Sequence, residues 1–311
     1  MASSGDAPPD GYIARSATFD DLAAIDELYA ASEHALGVLL ESRASYLGWR
    51  WRQPYVDVAR DTRLLERDSD VVAFSMVHDE ELGGPLYAMG RTHPAHLRRG
   101  IGTWLVDRAI RQAGERSLLG VRTSAPREDP AARALFEARG FRRVRSSFDM
   151  GTELSGDETG GAPPAGVLVR PFVRGTDDRA TWGVENAAFR DHWDHVSEVS
   201  FEVWAAELFG DPDDPTRLYV AEADGRLVGE AAWIEVPTGA YITSVGVLAA
   251  YRRRGIATAL LRAAIADVVA AGHRDVYLSV DGESPTGAVG VYEGVGMAVR
   301  RTVDVFDRSL A

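Results

Sequence analysis

The sequence predicts an α/β protein with mixed sheets that consists of two copies of one domain. A strand-like stretch, a turn containing arginine and glycine, and a helical segment follow one another twice along the 311 residues. Gly100 and Gly255 of the two turns are 155 residues apart, as are Arg15 and Arg170, which open the copies. So constant an offset indicates a duplicated domain. A chain of this length also suits two domains better than one core.

Both copies show the same order of predicted elements. The first opens with a strand and an amphipathic helix, which Asp20 or Asp21 caps and whose apolar residues recur from Leu22 to Tyr29. Further strands are predicted at 71–77, 86–91, 120–124 and 141–150, with helices before Pro54 and at 102–113 and 130–138. The second copy is predicted to have strands at 167–171, 217–223, 227–234, 241–247, 275–280 and 298–306, and helices at 176–189, 201–209, 257–271 and 288–295.

Residues 151–166 are rich in glycine, proline and acidic residues and have no apolar periodicity. This composition predicts a linker. We therefore expect an N-terminal domain over 1–150, a linker over 151–166 and a C-terminal domain over 167–311.

Composition limits the functional classes. The net charge of −13 disfavours nucleic acid as a partner, because phosphate binding needs basic surface. The absence of cysteine excludes disulfides, zinc-thiolate sites and a thioester on the protein itself. All 34 basic residues are arginine, which favours a GC-rich, actinobacterial-type genome. The polar N-terminus and the lack of an apolar run of about 20 residues predict a cytoplasmic protein without a membrane partner.

The turn of the second copy, Tyr251 to Thr258, is typical of an anion site. It reads YRRRGIAT and lies between an apolar strand-like stretch and a helix. The backbone N–H groups and the positive end of the helix dipole attract an anion at such a junction. Arginines add charge, and Gly255 lets the backbone approach the ligand closely.

Arg252, Gly255 and Ala257 form the pattern Arg-x-x-Gly-x-Ala, which resembles the pyrophosphate loop of the GNAT acyltransferase superfamily. Val291-Tyr292, followed by Gly296-Met297, resembles the second motif of that family. The resemblance covers both copies and implies a tandem GNAT fold that uses acetyl-CoA as co-substrate. It also implies that the tyrosine of the second motif is the general acid for the departing thiolate.

The two copies differ at the positions that matter for this chemistry. Tyr292 can give a proton to a thiolate, whereas Phe136, which occupies its place in the first copy, cannot. Leu97 stands in the first loop where Arg252 stands in the second. The C-terminal domain is therefore predicted to be catalytic, and the N-terminal domain to be a structural partner or a domain that binds CoA without turnover.

The resemblance assigns two sets of residues to cofactor binding. Those of the C-terminal domain are Val245, Gly246, Val247, Arg252, Arg253, Arg254, Gly255, Ile256, Ala257, Thr258 and Ser284. Those of a second, vestigial site in the N-terminal domain are Thr92, Arg98, Arg99, Gly100, Ile101, Gly102 and Thr103.

The general base and the acceptor site are predicted from nearby residues. Glu235, before a Pro-Thr-Gly turn, and Glu230, within the same strand, are the nearest acids, and we choose Glu235 as the base that takes the proton of the amine. The acceptor site is predicted to contain His192, Trp193, Asp194 and Tyr241. Trp193 could stack on a cation, and Asp194 could pair with it. His192 and His195 have a metal-like spacing, but no further ligand motif accompanies them, so no metal is predicted.

Three functions fit these observations. The first is an acetyl-CoA-dependent N-acetyltransferase for a primary amine of a small molecule, such as an antibiotic, a polyamine or a biosynthetic intermediate. The second is an acetyltransferase like the mycothiol synthases, which have this tandem layout, although Tyr241 stands where an acid is expected. The third is a non-catalytic acyl-CoA-binding or regulatory protein. The chain is expected to be a monomer or a homodimer.

Overall fold

The computed structural model of the protein describes residues 7–37, 44–53, 55–79, 84–193, 198–209, 216–236 and 239–310. Its packing divides the chain into two compact units. The first unit comprises Met1–Ser147 and Arg301–Ala311, and the second comprises Phe148–Arg300.

The first unit begins with a short strand and three helices. Its elements are β1 (Ile13–Arg15), α1 (Leu22–Leu36), α2 (Ala44–Trp51), α3 (Val58–Asp61), β2 (Thr62–Arg67), β3 (Asp70–His78), β4 (Leu86–Thr92), α4 (Ile101–Glu115), β5 (Gly120–Pro126), α5 (Pro130–Ala138) and the first part of β6 (Arg142–Glu153). Helix α4 forms because apolar residues recur every fourth position, and this stripe, from Ile101 through Leu105 and Ala109 to Ala113, is buried.

The second unit repeats this order of elements. It contains the end of β6, then β7 (Val167–Pro171), α6 (Asp178–Phe189), α7 (Phe201–Phe209), β8 (Arg217–Ala223), β9 (Arg226–Val236), β10 (Gly239–Val247), α8 (Ile256–Ala270), β11 (Asp275–Asp281), α9 (Ala288–Glu293) and the start of β12 (Ala298–Ser309). Helix α8 buries Leu260 and Leu261 completely. Each such leucine stabilises the core by about 1.5–3 kcal/mol.

Each unit has a mixed sheet. In the first unit the strand order is β1-β2-β3-β4-β5-β12, and in the second it is β6-β11-β10-β9-β8-β7. Most neighbours are antiparallel, but β4 and β5 run parallel, as do β10 and β11. These parallel pairs are the positions at which the sheets open.

The bounds of the two units differ from the predicted domain boundaries. Residues 301–311, which we expected in the C-terminal domain, belong to the first unit. The reason is that β12 pairs antiparallel with β5, with Asp304 opposite Ala125. Asp304 is almost fully buried there and accepts hydrogen bonds from Ser146 Oγ at 2.7 Å and Arg127 Nη2 at 2.8 Å. Local sequence patterns do not reveal a pairing over so long a separation.

The predicted linker over 151–166 overlaps the end of β6, because residues 151–153 belong to that strand. Residues 154–166 have no regular secondary structure and pack on the second unit. Leu154 is buried and its amide donates to the carbonyl of Arg274. Gly160 lies beside Ala263 of α8, and Pro164 lies beside Gly255. A strand that we did not predict, β2, precedes β3. Its sequence, TRLLER, mixes charged and apolar residues, and pairing with β1 and β3 fixes it as a strand.

The repeat extends to side-chain contacts. Arg15 pairs with Asp21 and Glu66, with N–O distances of 2.6 and 2.7 Å. Arg170 makes the same pattern, with Asp177 at 2.6 Å and a hydrogen bond to Glu222 at 2.7 Å. The two arginines that marked the offset in the sequence therefore have one structural role: each ties the first strand of its unit to the following helix and to the next strand.

Candidate active site

The second unit contains a cavity of about 380 Å³ between two parallel strands. Strands β10 and β11 pair only at Ala240–Val276 and Tyr241–Tyr277. Beyond these pairs the cavity is lined by residues 242–247 of β10 on one side and 278–281 of β11 on the other. Strand β10 also has a register shift against β9 between Ile242 and Ser244. The opened strands expose backbone groups that an extended ligand can bind as an added strand would.

A glycine loop closes one end of this cavity. Gly255 has φ 79° and caps α8, and Arg253, two residues earlier, has φ 64°. The first helical hydrogen bond runs from the amide of Ala259 to the carbonyl of Gly255. The amides of Ile256, Ala257 and Thr258 therefore precede the helical ladder, and all three residues line the cavity. Backbone amides at a helix N-terminus and its dipole form an anion-binding site.

The three loop arginines have different surroundings. Arg253 lines the cavity and makes no hydrogen bond or ion pair with the described residues. Arg252 also lines it, but its guanidinium binds Asp191 Oδ2 at 2.7 Å and the carbonyl of Ala188 at 2.9 Å, at the end of α6. Arg254 lies outside the lining and stacks on the ring of Tyr251. Arg253 is thus the arginine best placed for an anionic ligand, and Arg252 ties the loop to α6.

Tyr292 lies on α9 and lines the cavity. Its hydroxyl has no hydrogen-bond partner among the described residues. Burial raises the pKa of Tyr292 to about 12, and the nearby charge of Glu230 acts in the same direction. The phenol therefore keeps its proton at neutral pH.

The other predicted site residues are divided between the cavity and its surroundings. Ser284 and His192 line the cavity, and Ser284 Oγ lies 2.8 Å from Thr286 Oγ1. Trp193 is not part of the lining, and the centroid of its ring lies 6.5 Å from that of the His192 ring. Tyr241 packs edge-on against Tyr277, within the part of β10 that is still paired with β11. Asp194 and His195 lie outside the described residues.

Glu235 is on β9 but not in the cavity. Its side chain is 60% exposed, and Oε2 lies 3.5 Å from His273 Nε2. Opposite it on β10 is Ala240, within the part of the strand that is paired with β11. The structure does not bring Glu235 together with Tyr292 or the loop.

Glu230, five residues earlier on β9, is fully buried beside the cavity wall. Ser244 Oγ, on β10, donates to Glu230 Oε2 at 2.8 Å, and Ser244 lines the cavity. One sequence signal pointed to this position, a single acid within the apolar run LVGEAAWI. A buried charged residue is rare enough to suggest a role. Sequence reasoning missed Ser244 and the β11 residues Ser279 to Asp281, because only the divergence of the strands exposes them.

The first unit has a corresponding cavity of about 760 Å³. Its loop repeats the backbone conformation of the second unit, since Arg98 has φ 62° and Gly100 has φ 82°. Of the predicted second-site residues, Thr92, Arg98, Gly100, Ile101, Gly102 and Thr103 line this cavity, and Arg99 does not. Phe136 also lines this cavity and packs against Phe306, with 5.3 Å between the two ring centroids.

The described residues hold no group of three acidic or histidine side chains that could bind a metal ion. Within the same residues, every helix is too short or too polar to span a membrane.

Comparisons with known proteins agree with this geometry. The model of the acetyltransferase (GNAT) family matches residues 23–141 and again residues 180–297. A protein of Clavibacter sepedonicus named mycothiol acetyltransferase is 32% identical over 229 residues, which are 69% of this chain and 72% of that protein.

Solved structures are also similar. A GCN5-related N-acetyltransferase from Sphaerobacter thermophilus is 30% identical, with a TM-score of 0.82 over 97% of both chains. A tandem GNAT protein from the clavulanic acid biosynthesis pathway shares the fold, with a TM-score of 0.77 over 96% of this chain and 99% of that one, at 15% identity. With two matches to the family model, two sheets that open at the same place and two glycine loops, the chain belongs to the GNAT family of acetyltransferases and carries its domain twice.

Proposed function

We propose that the second unit transfers an acetyl group from acetyl-CoA directly to a primary amine of a small molecule, within a ternary complex. The observation that carries this proposal is the single cavity that joins the amides after Gly255, the opened edge of β10 and Tyr292. These are an anion site, a strand edge for an extended arm and a proton donor, which together match the parts of acetyl-CoA.

The pyrophosphate would lie at the N-terminus of α8, next to Arg253. A charge-assisted hydrogen bond from this guanidinium adds to the amides and the helix dipole. A side chain at position 255 would have to adopt φ 79° and would lie 3.3 Å from Pro164, so glycine suits this position. The pantetheine arm would then follow Val245 to Val247, with Ser284 on the opposite wall.

The reaction follows from the groups at the inner part of the cavity. The amine loses to water the proton that it carries in solution and attacks the thioester carbonyl as the neutral form. The C–N bond forms, the nitrogen gives up a second proton to a nearby base, and the C–S bond breaks. Tyr292 then gives its proton to the thiolate. With no cysteine in the chain, direct transfer replaces a thioester on the protein, and holding both reactants in one site supplies much of the rate.

The acceptor is proposed to be cationic in solution. The net charge of −13 attracts cations to the surface. His192 and Asp191, which is paired with Arg252, line the cavity at the end of α6. Antibiotics, polyamines and amino intermediates of biosynthesis all fit this description.

A second candidate is supported by the relatives named mycothiol acetyltransferase. In this case the acceptor would be a cysteinyl pseudodisaccharide. Tyr241, paired with Tyr277 outside the cavity, provides no acid at the start of the strand, which is the feature that separates this chain from that expectation.

The test is release of CoA thiol by the purified protein, with acetyl-CoA and a panel of amines that includes the cysteinyl pseudodisaccharide. A product carrying one acetyl group on nitrogen, seen by mass spectrometry with one class of amine, would support the proposal and identify the acceptor. Binding of acetyl-CoA with no transfer to any amine would contradict it and favour a binding protein.

A further inference from the structure

The wall of the second unit's cavity hides one carboxyl group. Glu230 lies opposite Gly246 in the pairing of β9 with β10. Its Oε2 accepts the hydrogen bond from Ser244, and its Oε1 lies against the backbone of Gly246. A Cβ on Gly246 would lie 2.6 Å from Oε1, so only glycine leaves room for the carboxyl group.

The surroundings of Glu230 disfavour its charge. Burial is the main cause that raises the pKa of Glu230 well above its usual range, and Glu185 of α6 adds to the rise. Trp204 Nε1 donates to Glu185 Oε2 at 2.7 Å and holds that carboxylate in place. The charge of Glu230 in turn contributes to the raised pKa of Tyr292. Glu185, Glu230 and Tyr292 are therefore the titratable groups that act on one another here.

The first unit shows what replaces this group where no chemistry is proposed. There Ser75 lies opposite Gly90, as Glu230 lies opposite Gly246. Ala88 takes the register position of Ser244, because each lies two residues before that glycine. Phe136 takes the place of Tyr292. The carboxyl, the hydroxyl and the phenol of the second unit are thus all missing from the same three places of the first.

We propose that Ser244 contacts the acceptor amine and that Glu230, acting through Ser244, receives the proton that the amine loses. The amine N–H donates to Ser244 Oγ, and the Ser244 hydroxyl donates to Glu230 Oε2. As the C–N bond forms, one proton moves along this chain to the carboxylate. Tyr292 supplies the proton for the thiolate when the C–S bond breaks, and the proton on Glu230 returns to Tyr292 or to solvent before the next turnover.

This relay rests on the proposed function of the second unit. Ser244 is the group that would touch substrate, and Glu230 is a positioning residue. The assignment replaces Glu235, which is exposed and remote from the cavity. A carboxylate with a raised pKa is a stronger base than an ordinary one and is better matched to an amine at neutral pH.

The experiment compares pH profiles of kcat/KM for acetyl transfer in the wild type and in Glu230→Gln, Ser244→Ala and Glu202→Gln. Glu202 is an exposed acid on α7 of the same unit and serves as the matched control. We expect the wild-type profile to fall on its acidic side, and we expect Glu230→Gln to lower kcat/KM by about 10²-fold or more and to remove this acidic limb. Ser244→Ala should lose the same limb, and Glu202→Gln should keep the wild-type profile.

The affinity for acetyl-CoA, measured by calorimetry, shows whether the variants keep the fold. A limb retained in both Glu230→Gln and Ser244→Ala would overturn the relay. If Glu230→Gln does not fold, the Ser244→Ala profile decides alone. Wild-type transfer with unchanged variants would refute only the relay, whereas a wild type that transfers to no amine would refute the proposed function and the relay with it.

Discussion

The two units of this protein have the same sheet opening and the same glycine loop, but they differ in the groups that can move protons. Gly100 and Gly255 share a left-handed backbone, and each precedes a helix whose first amides line a cavity. Around these loops, Tyr292, Ser244 and Glu230 in the second unit correspond to Phe136, Ala88 and Ser75 in the first. The difference teaches that the sheet opening and the glycine loop can be kept while all three of these side chains change, and we propose that transfer depends on those three side chains.

The loops also differ in what holds them. In the second unit, Arg252 connects the loop to Asp191 and to the end of α6. In the first unit, Leu97 occupies this position and is 53% exposed. We therefore expect the second loop to be linked to the acceptor side of its cavity and the first loop to lack such a link.

The largest expected effect on this comparison is that of Tyr292→Phe. Removing the phenol makes the second unit resemble the first and should lower kcat by about 10²–10⁴-fold, the usual contribution of a general acid. The measurement is steady-state turnover with the amine that the panel identifies. Tyr219→Phe, on β8 and outside the cavity lining, is the control and should keep normal turnover. Equal turnover in Tyr292→Phe would contradict the assignment of the acid.

The next largest effect is expected for Asp304→Ala, which tests how β12 is held in the first unit. Burial alone would raise the pKa of Asp304, but hydrogen bonds from Arg127, Ser146 and Arg143 hold it well below its usual range. Losing the hydrogen bonds to this buried carboxylate should lower the free energy of unfolding by about 1.5–3 kcal/mol. Hydrogen exchange should increase in β5, and far less in β8.

The pH dependence has a definite sign. Because folding lowers the pKa of Asp304, its stabilisation is fully present above the usual carboxyl pKa of about 4 and is lost as the pH falls below it. The difference between Asp304→Ala and the wild type should therefore shrink in acid. The control is Glu137→Ala, which removes an exposed acid on α5 of the same unit. A loss of stability as large as that of Asp304→Ala in this control would show that burial does not matter.

A smaller effect is expected for Arg253→Ala, which removes the loop arginine that has no partner among the described residues. The loss of one charge-assisted contact should raise the Kd for acetyl-CoA about tenfold, or about 1.4 kcal/mol. Arg254 is outside the cavity lining and stacks on the ring of Tyr251, so Arg254→Ala should change the Kd by much less. Calorimetric titration measures both, and similar losses in the two variants would argue for a general effect of charge.

The smallest effect is expected for the stability of Glu230→Gln. Because folding raises the pKa of Glu230, its proton stabilises the folded state fully below the usual carboxyl pKa, and this stabilisation is lost as the pH rises toward the folded value. The free energy of unfolding of Glu230→Gln should therefore rise relative to that of the wild type as the pH increases, by on the order of 1 kcal/mol. Thermal unfolding at pH 4 and at pH 8 measures this, and a constant difference would mean that Glu230 is not buried as described.

Much of the fold could be predicted because its signals are local. Each glycine loop and the helix behind it lie in a short window of sequence, and both copies have the structure that this window predicts. The constant offset between the copies predicts the repeat. That residues 301–311 belong to the first unit could not be predicted, since the strand pairing between Asp304 and Ala125 depends on the whole fold.

The site was partly predictable for the same reason. Gly255 and Tyr292 lie in motifs, and the structure places both in the cavity. Glu230 and Glu235 are both acids on one strand, and sequence alone does not decide which is buried. The packing of α6 over β9 and the close approach of Gly246 decide it, and these are tertiary contacts. Likewise, the partners of Arg252 appear only once the end of α6 lies beside the loop.

The most direct test of the central claim, that only the second unit transfers acetyl groups, is CoA thiol release from acetyl-CoA and the accepted amine by three proteins. These are the wild type, Tyr292→Phe and the double variant Tyr292→Phe/Phe136→Tyr. The absence of cysteine removes any thiol background from the protein. We predict rapid release by the wild type and only background release by both variants. Normal release by Tyr292→Phe would contradict Tyr292 as the acid of the second unit, and recovery in the double variant would show that the first unit can transfer acetyl groups.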